Sequence, residues 1–88
     1  MKKAILIAEW ENQNAVRYGG FGTKRLYKSL GDGSLIVTSA IRYDDQSAET
    51  LVFKAVILGD QIRNGEEIGC IEVFDHDAAL SSAGFELV

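Results

Sequence analysis

The sequence predicts an α+β domain: a mainly antiparallel sheet of about five strands, wound as a meander, with one short C-terminal helix packed on one face. Three observations carry this. Leu35–Tyr43 and Thr50–Leu58 are rich in branched and aromatic residues and are apolar on both of their faces, as strands covered on both sides are. Asp32-Gly33 and Asn64-Gly65 punctuate the chain where two-residue hairpin turns belong. Asp75 to Phe85 carries the start and stop signals of a helix.

Taken in order, the first strand is Lys3–Trp10, apolar at Ala4, Ile5, Leu6, Ile7, Ala8 and Trp10; it adds to a sheet edge or opens a second layer. Glu11–Thr23 is a polar segment in which Asn12 or Asn14 could cap a helical turn over Asn14–Tyr18. It closes on Gly19-Gly20-Phe21-Gly22, where the glycines favour a loop or a strand-edge irregularity. Lys24–Leu30 and Leu35–Tyr43 form a hairpin through Asp32-Gly33; Asp44–Glu49 is a polar loop into Thr50–Leu58; Asn64-Gly65 returns the chain into Glu67–Phe74. In the final segment Asp75 is an N-cap, Asp77 complements the dipole of the first turn, and Gly84 fits the position just past the end.

These turns set Ser29 opposite Ile36, Ile36 opposite Ile57, and Ile57 opposite Glu72. One face then carries Leu26, Leu35, Val37, Ile41, Val52, Val56 and Ile71. The other carries Tyr27, Ile36, Thr38, Ala40, Phe53, Ala55 and Cys70, and Ala40 and Ala55 leave room there for the helix. Lys54 and Glu72 fall on apolar faces in this register, a conflict that means either that the long-loop register is off by one or that these are edge positions.

With 88 residues the chain makes one domain, residues 1–88, and 47% apolar against 25% charged residues is the balance of a folded core rather than of a disordered segment. A single cysteine, Cys70, excludes an intrachain disulfide, and with a single histidine, His76, it excludes a Cys/His zinc cluster within one chain. No cofactor and no metal is expected. The opening Met1–Ile7 mimics a signal peptide until Glu9 and Glu11 interrupt it, and no apolar run is long enough to span a bilayer. The expectation is a cytoplasmic protein without a membrane partner.

The net charge of −4 is divided unevenly: residues 1–30 carry +4 and residues 31–88 carry −8. That asymmetry suits a polyanion contact, attraction within the molecule, or head-to-tail pairing of subunits.

Each candidate site has a structural counterpart. Asp75-His76-Asp77 has the residue types of an acid–base or metal cluster, yet neighbouring helical side chains diverge; capping accounts for both aspartates and leaves His76 as an exposed first-turn residue. Gly19-Gly20-Phe21-Gly22-Thr23-Lys24 lacks the spacing of a phosphate loop. Arg17, Lys24, Arg25 and Lys28 interleave with Tyr18, Phe21 and Tyr27, but the strand period splits Arg25 and Tyr27 from Lys24 and Lys28, which makes nucleic acid an unfavoured partner. Asp44-Asp45 and Glu66-Glu67 read as turn-formers on a solvated rim. Cys70 reads as a buried, inert thiol, and Trp10 as an anchor of a core edge or an interface.

Glu49-Thr50-Leu51-Val52-Phe53, then Asp75-His76 with Ala79-Leu80 and Ala83-Gly84-Phe85, resembles the "ETxVF … DHxxAL … AGY/F" pattern of small bacterial and phage-associated proteins without an assigned activity. The resemblance covers residues 49–85. It implies an accessory gene product of the mobile gene pool and no particular chemistry.

The function expected from the residues is a small non-catalytic binding or interaction module that associates with itself, as a homodimer or higher oligomer. Val37, Ile41, Val52 and Val56 form the core of the expected interface, because exposed apolar area of that extent is rare on monomers. One alternative is a small-ligand binder or minimal enzyme with a pocket between sheet and helix using Tyr27, Thr38, Glu72 and His76. Another is an acidic inhibitor that docks on a nucleic-acid-handling complex through Asp44, Asp45, Glu49, Glu66 and Glu67.

Overall fold

The computed structural model describes residues 1–88. The chain runs β1 (Lys2–Glu11), α1 (Gln13–Arg17), β2 (Phe21–Ser29), β3 (Leu35–Arg42), β4 (Ala48–Leu58), β5 (Gln61–Ile71), α2 (His76–Ser82) and β6 (Phe85–Leu87). The strands form one curled sheet in the order β5-β4-β3-β2-β1-β6. The α+β class and the antiparallel meander from β1 through β5 match the expectation. Two features correct it. A sixth strand, β6, pairs in parallel with β1 (Lys2 opposite Phe85), so the sheet is mixed, and α1 is a second short helix.

Local chemistry explains both helices. Asn12 caps α1, its side chain accepting from Asn14 N at 3.2 Å, and Asp75 caps α2, accepting from Ala78 N at 3.0 Å. Gly84, at φ +93°, takes the left-handed position that ends α2. The start of α2 is pinned to the sheet by Thr50, whose hydroxyl donates to Val73 O (2.7 Å) and accepts from Asp75 N (3.1 Å).

The registers decide which residues share a face. Tyr27 lies opposite Ile36 and Arg25 opposite Thr38, so the expected faces of β2 and β3 are those observed. On β4 the faces are exchanged. Ile36 pairs with Lys54 and Thr38 with Val52, a shift of three residues from the expected pairing. The cause is a tighter β3–β4 connection. Tyr43 N donates to Ser47 O, and Gln46 takes a left-handed φ of 74°, the geometry of a three-residue hairpin loop. The β4–β5 turn is likewise not at Asn64-Gly65. It falls at Gly59-Asp60, between Leu58 and Gln61, with Gly59 at φ +64°. Asn64-Gly65 instead lies at one of two bulges on β5, where a Cβ on Gly65 would stand 2.8 Å from Lys54 O.

The core lies between the sheet and α2. Ala4, Tyr27, Ile36 and Val52 from the sheet pack with Ala79, Leu80 and Phe85, and Ile68, Ile71 and Ala83 border them. The opposite, open face carries Ile5, Trp10, Lys24, Leu26, Lys28, Leu35, Val37, Ile41, Leu51, Phe53 and Cys70. Only α1 covers it, at one end. Asn12 Nδ2 donates to Ser39 Oγ (2.7 Å), and Ala15 sits over Gly22, where an added Cβ would meet Ala40 O at 2.4 Å. Leu26, Val37 and Ile41 are buried on this curled face within a single chain.

Candidate functional site

His76 is the single imidazole of the chain, and its surroundings hold it in the neutral form. It is 6% exposed, not the exposed first-turn residue expected, because the first turn of α2 lies flat against the sheet. Nε2 lies 2.7 Å from Thr23 Oγ1 and Nδ1 2.6 Å from Thr38 Oγ1, so both ring nitrogens are hydrogen-bonded to hydroxyls. Burial lowers its pKa to about 4, aided by Arg25 and opposed by Glu9, Asp77 and Asp75. The imidazole is therefore neutral at pH 7, held between the two threonine hydroxyls.

Arg25 closes this group at the surface. It pairs with Glu9 on β1 and lies 3.4 Å from Asp77 on α2. The hydrogen bond to Glu9 first, then the nearby Tyr27 hydroxyl, raises the Arg25 pKa, and Arg25 in turn lowers that of Glu9. The Tyr27 hydroxyl is buried beside Arg25 without a hydrogen bond of normal geometry. Of the residues expected to line a ligand pocket, Tyr27, Thr38 and His76 thus lie on one side of the sheet, with Thr38 and His76 in contact, but they are packed solid. Glu72 is exposed, on the connection after β5.

The expected interface residues do not form one face. Val37 and Ile41 belong to the open face, while Val52 is 0% exposed beneath α2. Val56 lies past the end of β3, on a two-stranded ribbon (Ala55–Leu58 with Gln61–Asn64) that leaves Ile57 51% and Leu58 54% exposed. The exchange follows from the β4 register: shifting a strand by an odd number of residues turns every side chain over.

The open face carries an ordered distribution of charge that the sequence does not display. Because strand order follows chain order, the basic N-terminal third supplies one flank (Lys24 and Lys28 on β2) and the acidic remainder the other. Glu49, Glu67 and Glu72 gather around Cys70 on that second flank. Desolvation first, then these three carboxylates, raises the thiol pKa, although the residue is exposed rather than buried as expected. The thiol is poorly activated as a nucleophile. Asp44 and Asp45 stand apart on the β3–β4 loop, Asp45 bound to Ser47, so the expected acidic docking set is split between loop and strands. Lys24 is half-buried opposite Trp10, and desolvation lowers its pKa.

Two clefts remain at the ends of α2. One, of about 630 Å³, is lined by Arg42, Tyr43, Glu49, Glu72 and Phe74 among others. Its polar groups are partly engaged. Tyr43 donates to Glu49 at 2.6 Å, which raises the phenol pKa to about 12, and Arg42 stands 5.9 Å from the centre of the Phe74 ring. The other, of about 480 Å³, is lined by Ile36, Ala55, Ile57, Ile68 and Phe85, with Lys2, Lys54 and Asp32 at its margin.

No group of three or more His, Cys, Asp and Glu side chains is arranged to hold a metal ion. No helix is long and apolar enough to cross a membrane. Comparison with protein-family models, curated proteins and solved structures gives no match.

Proposed function

We propose that the protein is a non-catalytic interaction module that works as a homodimer, two copies packing through the open sheet face. The observation that carries this reading is the separation of charge across that face, basic on β2 and acidic on β4 and β5, with apolar residues between. A two-fold axis through the middle of the face lays each basic flank on the partner's acidic flank. Leu35, Leu51 and Phe53, half-buried in one chain, would supply the apolar centre, with the exposed Trp10 on β1 at its rim beside Lys24. Pairing through the free edge of β5 is disfavoured, because an antiparallel edge contact would bring Glu66 and Glu67 of both copies together. The uncharged, fully hydrogen-bonded His76 supports the non-catalytic part of the proposal.

A charge exchange tests it. Lys28→Glu and Glu67→Lys each replace an exposed side chain and should each weaken the dimer about tenfold, and the double variant should recover most of the loss. Additive weakening in the double variant would refute the pairing of flanks.

A further inference from the structure

A seven-residue helix is about 10 Å long and cannot roof a sheet whose longest strands have eleven residues, on the order of 36 Å. At the C-terminal end of α2 the uncovered part is the 480 Å³ cleft. It opens directly onto the hydrophobic core: Ile36 and Phe85 belong to both, and Ile68 packs against both. We propose that this cleft is a binding site for a small amphiphilic carboxylate, with the alkyl or aryl part inside and the carboxylate at the lysine-bearing margin.

Size and lining fit a small-molecule site: a few hundred cubic ångströms, mainly apolar, with few polar groups. Charge selects the head group. Lys2 on β1 and Lys54 on β4 stand on walls separated by two strands of the curled sheet. Lys2 lies 5.9 Å from the centre of the Phe85 ring and forms no ion pair within 4 Å, its charge reaching Asp32 only as a minor contribution to lowering that carboxyl. Lys54 has only a 4.0 Å contact with Glu66, both side chains being well exposed, which is a weak pairing. The acidic residue at the margin, Asp32, is already committed: it accepts from Ser34 N (3.0 Å) and Ser34 Oγ (2.7 Å), which hold its carboxyl below the usual range. Beside Asp32, on the strand facing Ser34, the buried Ser29 hydroxyl also helps to hold the Asp32 carboxyl low, which commits that carboxylate further to its own turn. The cleft lies on the α2 side and the proposed dimer surface on the other, with Leu35 alone bordering both.

The test is an NMR titration of the full chain, with isotope-labelled isoleucine methyl groups, using decanoate, decan-1-ol and decyltrimethylammonium below their micelle concentrations. Decanoate should produce saturable shifts at Ile36, Ile57 and Ile68 and bind more tightly than the ammonium compound. Lys2→Gln with Lys54→Gln should weaken decanoate about tenfold, at roughly threefold per exposed lysine. Both substitutions are on exposed side chains, so the fold is retained. Binding should persist in the Lys28→Glu variant, which separates this result from the fate of the dimer. Saturation by the ammonium compound at equal or lower concentration would overturn the proposal. So would decanoate shifts confined to the outer ribbon residue Ile62, or no saturable shift at all.

Discussion

Acidification should unfold this protein early, and His76 is the reason. In the unfolded chain the imidazole titrates near 6.5, whereas in the folded chain burial under α2 brings it to about 4. Between those values the unfolded state binds a proton that the folded state refuses, so stability is highest above pH 6.5 and is lost as pH falls toward 4. The whole window is worth on the order of 3 kcal/mol, at about 1.4 kcal/mol per pKa unit. The part lost between pH 7 and pH 5 is about 2 kcal/mol. For a domain of this size that lowers the melting temperature by on the order of 10 °C. The two threonine contacts do not by themselves forbid protonation, since a hydroxyl can accept from either ring N–H. Desolvation and Arg25 keep the ring neutral. The assay is urea denaturation at pH 7, 6 and 5 for the natural chain and His76→Gln. The natural chain should lose about 2 kcal/mol over this range and the variant should show little dependence, because the depressed carboxylates Glu9, Asp32 and Asp45 begin to lose their contribution only at lower pH. An equal slope in both proteins, or a His76 NMR titration centred near 6.5, would refute the reasoning.

Other perturbations separate the core from the surface. Val52→Asp buries an uncompensated carboxylate beneath α2 and should abolish folding, seen as loss of dispersion in the NMR spectrum, whereas Val56→Asp, on the half-open ribbon, should remain folded. Gly22→Ala drives a Cβ into Ala40 O and against Ala15 and Asn12, so it should cost about 1–3 kcal/mol in urea denaturation. Asn12→Ala removes both the α1 cap and the bond to Ser39; a loss of about 1–2 kcal/mol is expected, with hydrogen exchange accelerated first in α1.

What the residues disclosed and what they hid have separate physical causes. The C-terminal helix was legible because capping is local: Asp75 and Gly84 act on backbone groups within a turn. The two faces of β2 and β3 were legible because the alternation of Tyr27, Arg25, Ile36 and Thr38 survives any even shift of their hairpin, and the observed shift was even. The faces of β4 were hidden because Gln46, a residue without glycine's conformational freedom, takes the left-handed position that shortens the loop. Asn64-Gly65 misled for a related reason: a glycine that permits a turn also permits a bulge, and Gly59-Asp60 was the other available turn. β6 is three residues paired with the chain's first strand, a non-local contact with no periodic signature. The burial of His76 depends on Thr23 and Thr38, which are 53 and 38 positions away. The charge flanks of the open face were visible as a compositional asymmetry, but only the strand order gives them a direction across the sheet.

The measurement that bears most directly on the central claim is the solution mass of the natural chain by light scattering, over a range of protein concentrations, at about 0.1 M and about 1 M salt, which brackets strong and weak screening lengths. The account predicts twice the mass of one chain, with dissociation appearing at higher protein concentrations in the high-salt series, because the flanking charges are screened while the apolar centre remains. A mass of one chain at every concentration and both salt conditions would contradict it.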